Sequence, residues 1–208
     1  MSKFIISPIK CAACGKESHQ NVILSTSTLG KPDLDLRPQG MARSLLTKEL
    51  QVCPHCSYSY YDISENYNRL DKIKAILDPS EIPQDMASAY VHAARLQEYI
   101  KNYKQAALLY LRAAWILDDN NENALSAIIR KSAAHCLEID VNNTLDCQDA
   151  ILLVDILRRA EDFERALFYI NDIGTTQDLL FDSILSLERK LVLKKDSACH
   201  SIDEVGNE

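Results

Sequence analysis

The stretch YKQAALLYLRAAWIL, residues 103–117, decides the fold class. Tyr103, Ala106, Ala107, Tyr110, Ala113, Ala114 and Leu117 recur at i, i+3, i+4, i+7 spacing, while Leu108, Leu111 and Trp115 form a second apolar stripe. A helix apolar on two faces has to pack between neighbours, so the segment belongs inside an array of helices. Towards the N-terminus, Tyr90 and Ala94 place a small residue four after an aromatic. With Tyr103, Ala106, Tyr110 and Ala113 they complete the spacing of a tetratricopeptide (TPR) helix pair, in which small residues let two helices approach closely. Towards the C-terminus, Ala150, Val154, Leu157, Phe163, Ala166 and Ile170 repeat the scheme, and AEDFERA at 160–166 echoes IKNYKQA at 100–106. The offset of sixty residues exceeds the regular repeat of about 34. A long helix around Asn123 to Ile139 fills the difference, and Leu180, Ile184, Leu187 and Leu191 predict a final capping helix.

The other strong signal lies at the opposite end. Cys11-Ala12-Ala13-Cys14 and Cys53-Pro54-His55-Cys56 are two CxxC knuckles separated by 38 residues. Two intervening residues let one tight turn present both sulfurs to a metal, and two such turns complete a tetrahedral four-cysteine shell with no open position, which is the pattern of a structural Zn2+ site. Gly15 follows the first knuckle, where the turn wants a permissive backbone; Ser57 stands at the equivalent place in the second. CPHC after Leu50-Gln51-Val52 is also the active-site sequence of oxidising thioredoxin-fold enzymes, but that fold needs further strands downstream, whereas everything after Tyr61 reads as helix. Asn21 to Leu24 and Leu46 to Val52 are the expected strands of the small sheet.

The expected fold class is therefore mainly α: a small N-terminal zinc-ribbon (β) module followed by a TPR-like antiparallel helical array. The expected division is a four-cysteine zinc ribbon at 1–62, a connector helix and linker at 63–84, the helical domain at 85–195 and a flexible tail at 196–208. Ser64 is the expected cap of the connector helix, which carries Tyr67, Leu70, Ile73, Ile76 and Leu77 and stops before Asp78-Pro79. The array is expected to bury its own core and to stay folded without the metal.

Composition agrees. The 208 residues are 47% hydrophobic and 25% charged, enough apolar side chain for a core. Five glycines, none between Gly40 and Gly174, argue against nucleotide-cradling folds. The net charge of −7 divides into +3 over 1–60 and −10 over 61–208. A metal bound by four thiolates lowers the ribbon to about +1, which gives little support for phosphate binding. The start, Phe4 to Ile9, is too short and too interrupted by Pro8 and Lys10 for a signal peptide, so a cytoplasmic protein without a membrane span is expected. In a reducing compartment the seven cysteines are metal ligands or buried thiols. Cys136 and Cys147 read as core, His92 and His135 as lone histidines, and Cys199-His200 as a poor metal site. Asp118-Asp119 and Glu161-Asp162 read as solvated turns.

KPDLDLRPQG at 31–40 alternates charge with leucine. An extended segment would turn Leu34 and Leu36 inward and hold Asp33, Asp35 and Arg37 outward as a candidate partner-binding row. Two competing readings make Arg37 a clamp on Asp33 or Asp35, or leave the segment a solvated loop.

The order CAACG, SxxGxPDLDxRP, QVCPHCSY and then helices containing LLYLRAAW resembles a bacterial family catalogued as domain of unknown function 2225, with two CxxC knuckles followed by TPR-like helices. The resemblance covers nearly the whole chain and implies zinc ligation by Cys11, Cys14, Cys53 and Cys56, a cytoplasmic setting and no assigned reaction. Function is accordingly expected to be that of a non-enzymatic zinc-binding scaffold whose array or ribbon loop binds another protein. The alternatives are a nucleic-acid- or ribosome-associated ribbon using Arg37, Arg43, Lys48, Tyr58, Tyr60 and Tyr61, or a redox-sensing zinc–thiolate switch. An enzyme would need a pocket built on Asp33, Asp35 and Arg37.

Overall fold

The computed structural model of the chain describes residues 2–67, 69–141 and 147–205. It is mainly helical with a small β module at its N-terminus. β1 (Lys3–Lys10) and β2 (Glu17–Ser25) form an antiparallel hairpin closed by the first knuckle, and β3 (Gln51–Val52) and β4 (Ser59–Tyr60) form a second one closed by the second knuckle. Between them lie a long loop and the short helix α1 (Leu46–Glu49). α2 (Leu70–Lys74) leads to six longer helices: α3 (Met86–Tyr99), α4 (Tyr103–Asp119), α5 (Asn123–Val141), α6 (Cys147–Arg159), α7 (Phe163–Ile173) and α8 (Leu179–Leu193). Each of the six packs on the next, and α8 also closes on α6.

Three local expectations are corrected. Leu46 to Val52 is not one strand, because Leu45, Leu46 and Leu50 are buried at helical spacing and the Leu46 carbonyl accepts the Tyr90 hydroxyl at 2.8 Å. Only Gln51–Val52 pairs as a strand. Ser64 caps no helix; its N–H and hydroxyl both go to the Asp62 carboxylate, and α2 begins only after Arg69, which takes a left-handed φ of 72°. The tail expected to be flexible is packed through residue 205. The His200 carbonyl accepts the Leu34 N–H at 2.9 Å, the Ile202 N–H reaches the Pro32 carbonyl at 3.1 Å, and Arg158 donates to the carbonyls of Asp196 and Ala198, both at 2.8 Å.

Nor does residue 62 separate two cores. Leu34, Leu46 and Leu50 lie in the same buried cluster as Tyr90, Leu109, Trp115, Leu137 and Leu153 of the array. Leu96 and Ile100 of the α3 segment are buried instead with Cys11, Cys53, Tyr58 and Ile63 of the ribbon. The expectation of an array with a core entirely its own is corrected accordingly. The two hairpins are stitched by buried glutamines: Gln20 donates to the Val52 carbonyl at 2.8 Å, and Gln51 donates to the Asn21 carbonyl while accepting the Ile63 N–H.

The scarcity of glycine is resolved at the helix ends. α3, α4, α6 and α8 all close with the same two backbone bonds; at α3 these are Lys101 N–H to Glu98 and Asn102 N–H to Gln97. That closure needs a left-handed residue, and here it is Lys101, Asn121, Glu161 or Lys195, with φ of 61°, 62°, 61° and 55°. The echo between 100–106 and 160–166 is thus a repeated turn. A side chain in this conformation costs roughly 1 kcal/mol relative to glycine. Lys101→Gly and Glu161→Gly are each expected to raise Tm by about 1–4 °C, and Asn121→Gly by less, since asparagine tolerates the conformation best. Differential scanning calorimetry that finds either of the first two variants less stable than the parent would contradict this account of the turns.

Candidate metal centre and the network beside it

The two knuckles are built alike. In the first, Cys11 N–H reaches the Lys16 carbonyl and Gly15 N–H the Cys11 carbonyl; in the second, Cys53 N–H reaches the Tyr58 carbonyl and Ser57 N–H that of Cys53. Gly15 and Ser57 both take a positive φ, 74° and 64°. Serine therefore adopts the conformation for which glycine is the easy choice, and its buried hydroxyl is satisfied by the Cys56 carbonyl at 2.6 Å.

The turns bring Cys11, Cys14, Cys53 and Cys56 together with all four sulfurs within 4.8 Å of one another. Cys11 Sγ lies 3.8 Å from Cys56 Sγ, and Cys14 Sγ lies 3.6 Å from Cys53 Sγ. A tetrahedral thiolate shell with metal–sulfur distances of about 2.3 Å has sulfurs about 3.8 Å apart, close to the Cys11–Cys56 and Cys14–Cys53 separations, so the cluster suits a four-coordinate metal ion. Burial pushes the Cys11 and Cys56 thiols up, strongly so for Cys56, while backbone N–H groups pull against it. At Cys14 burial is outweighed by the Lys16 N–H and the neighbouring thiols, and its thiol is held below the ordinary value. Inward-pointing N–H groups are also what four thiolates around a cation need.

The loop between the knuckles behaves differently from its sequence expectation. Asp33, Asp35 and Arg37 are buried, whereas Leu36, with φ of 65°, is exposed. The segment turns rather than extending, so the outward charged row does not exist. The clamp reading is also corrected: Arg37 pairs with Asp119 of α4 at 2.5 Å, not with Asp33 or Asp35 through its side chain. Asp33 is held by Arg43 at 2.6 Å and Gln39 at 2.5 Å. Asp35 is driven into the array, where its carboxylate accepts from Trp115 Nε1 at 2.8 Å and from Arg159, with Arg130 at 3.6 Å. Arg130 and Arg159 also bind Asp118, at 2.6 and 2.7 Å. Burial pushes the Asp35 carboxyl up and the two arginines pull against it; at Asp118 the arginines outweigh burial, and that carboxyl is held below its ordinary range.

Asp118, Arg130 and Arg159 are the residues that sequence reasoning missed. Asp118-Asp119 reads as a solvated turn, yet Asp118 serves two arginines and Ser126. The available signal was Arg158-Arg159 closing the apolar run ILLVDIL, since charges at the end of a buried helix need partners. Arg158 is fully buried between Asp155 and Glu188. Of the expected nucleic-acid residues, Arg37 and Tyr58 are buried, Arg43 is paired, and Lys48 covers the Phe4 ring at 4.3 Å. Cys136 is buried in the array, His92 is half-buried, and His200 sits between Asp196 and Glu204.

No family model, curated protein or solved structure matches the chain.

Asp35→Ala leaves Arg159 and Arg130 to share the Asp118 carboxylate and Trp115 Nε1 without its acceptor, and the expected loss is about 2–4 kcal/mol. Thermal denaturation should show one transition at a markedly lower temperature, with ribbon and array melting together because the carboxylate joins them. A variant that melts within a degree of the parent would show that the network is not the joint.

Proposed function

We propose that the chain is a non-enzymatic scaffold in which a structural Zn2+ held by Cys11, Cys14, Cys53 and Cys56 fixes the ribbon, and the helical array receives a protein partner. Four thiolates leave no coordination position for a substrate, and the other dense group of charges, around Asp35, is spent on internal pairs. The resemblance to the two-knuckle family supports the zinc assignment and a cytoplasmic setting. Among the described residues no helix is long and apolar enough to cross a membrane.

The observation that carries the partner reading is a groove of about 820 Å³ along α3, the end of α4 and the start of α5. Met86, Val91, Ile116, Leu117, Leu125 and Ile129 give it an apolar floor, and Glu81, Asp85 and Glu122 line it with negative charge against Arg95. Leu125 is left 43% exposed. The lining suits an apolar segment flanked by lysine or arginine.

Two outcomes test the two halves. Elemental analysis of protein purified under reducing conditions should find one zinc per chain, lost in the Cys53→Ser/Cys56→Ser double variant and kept in Cys199→Ser; zinc that survives the double variant places the metal elsewhere. Nuclease-treated pull-downs should recover a protein partner with the parent chain, and Leu125→Glu should weaken that capture about tenfold or more without lowering helicity. Capture that depends on intact nucleic acid, or that Leu125→Glu leaves unchanged, overturns the groove reading.

A further inference from the structure

Two carboxyl groups converge on the buried guanidinium of Arg158. Its Nη2 donates to Asp155, one turn earlier on α6, at 2.5 Å, and its Nε donates to Glu188 of α8 at 2.8 Å. The third nitrogen, Nη1, donates to the Asp196 and Ala198 carbonyls, so the group that binds the acids also holds the tail. Each carboxyl spends one oxygen on Arg158. The other two, Asp155 Oδ2 and Glu188 Oε1, are buried and have no donor among the described residues. The two carboxyl groups lie within hydrogen-bonding reach of each other, and burial together with the Asp155 charge pushes the Glu188 carboxyl well above the usual carboxylate range. The other charges around the pair are already met. Arg159 turns to Asp35 and Asp118, Arg189 on α8 to Asn171, and Arg165 on α7 to Glu138. Asp35, whose carboxyl feels the Asp155 charge, is met by Arg130 and Arg159. His200 on the tail lies between Asp196 and Glu204, while Glu164 and Asp172 of α7 are exposed. A dry site thus holds two acids and one cation.

We propose that Asp155 and Glu188 share one proton at neutral pH, and that this proton locks the C-terminal tail onto α6 through Arg158. A protonated carboxyl has one O–H to give and the carboxylate beside it accepts, so a single hydrogen satisfies both orphan oxygens. The charge then balances, one carboxylate against one guanidinium. Without the proton, two anions face one cation in a space with no water to screen them. The relief is to part α8 from α6, and the tail, which continues from the end of α8, parts with it. Because the tail also bonds to Pro32 and Leu34, the proton bears on the loop that carries Asp35. The sign of the pH dependence follows. An unfolded glutamate releases its proton near pH ~4.3, whereas the buried pair keeps one. Above that pH the native state binds one proton more than the unfolded chain, so the contribution of the pair to stability falls as pH rises. The unfolding constant grows by up to about tenfold per pH unit until the pair itself titrates.

Glu188→Gln and Asp155→Asn each put a fixed amide donor where the proton sits and remove one charge, so both keep the hydrogen bonds and lose the titration. Urea unfolding at about pH 5, 6 and 7 should show the unfolding constant of the parent, relative to either variant, rising by about tenfold per pH unit. The ratio cancels the other titrating groups, His200 included. A flat ratio for a variant that folds overturns the shared proton. Infrared spectroscopy needs no variant: the folded parent at about pH 7 should show a protonated carboxyl stretch that disappears on unfolding in urea. Absence of that stretch overturns the proposal as well. The lock has its own readout in trypsin cleavage after Lys194 and Lys195, which line the start of the tail. The cleavage rate of the parent relative to Glu188→Gln should rise as pH is raised from about 7 to about 10, because cleavage follows the population of the opened form. A relative rate that stays constant while the infrared band vanishes shows a proton that does not hold the tail, and overturns the lock.

Discussion

The molecule depends on one buried carboxylate. Asp35 enters the array from the loop between the two knuckles and meets Trp115 of α4, Arg130 of α5 and Arg159 of α6, groups drawn from three helices. Because a buried ion pair returns little net energy after desolvation, its contribution is better understood as specificity. An aliphatic side chain could fill the space in many orientations, whereas two guanidinium groups and an indole N–H accept the carboxylate in one. Leu34 supplies the apolar anchorage beside it and the network supplies the register. The ribbon is thereby fixed against the helices instead of being tethered by a linker.

That constraint gives the knuckles a purpose beyond holding a small sheet together. A ribbon of this size buries too little to fold alone, and two two-residue strands in its second hairpin cannot change that. The clustering of the four cysteine sulfurs brings residues 11–14 against residues 53–56 and closes the loop that carries Asp35. The tail completes the enclosure from the other side: its backbone bonds to Pro32 and Leu34 while Arg158, next to Arg159 on α6, holds the Asp196 and Ala198 carbonyls. Residues near 33, 158 and 200 are thus locked around the same point, although the sequence spaces them across most of the chain.

The features legible in the sequence were those set by short-range periodicity. The helix over 103–117, the repeated turn at 100–102 and 160–162 and the two CxxC knuckles each occupy one local pattern, and each appears in place. The segment 33–37 was illegible for a physical reason. Alternation of charged and apolar residues implies an extended strand only if the backbone stays extended, and Leu36 leaves that region with φ of 65°. One left-handed residue exchanges the two faces, so the charges go in and a leucine goes out. The destinations of Asp35 and Arg37 also could not be read, since their partners lie 80 and more residues away and give no local signal of the pairing. Burial of charge in this chain is cooperative: Asp118 is a plausible solvated turn until Arg130 and Arg159 are both placed beside it.

The unusual helix closures belong to the same economy of structure. A glycine in the left-handed position would be easier locally, but it would widen the unfolded ensemble and leave the turn without a side chain. Glu161 lies along the cleft bounded by Asp118, Arg130, Arg159 and Cys199, and Lys195 lines the same cleft from the end of α8. At both positions the left-handed residue places a charge at the rim of the buried network, where glycine would place none. The strain in these two turns therefore falls where a charged side chain borders the joint between ribbon, array and tail, which gives a physical reason for the ends of α6 and α8 to do without the residue that would close them most easily.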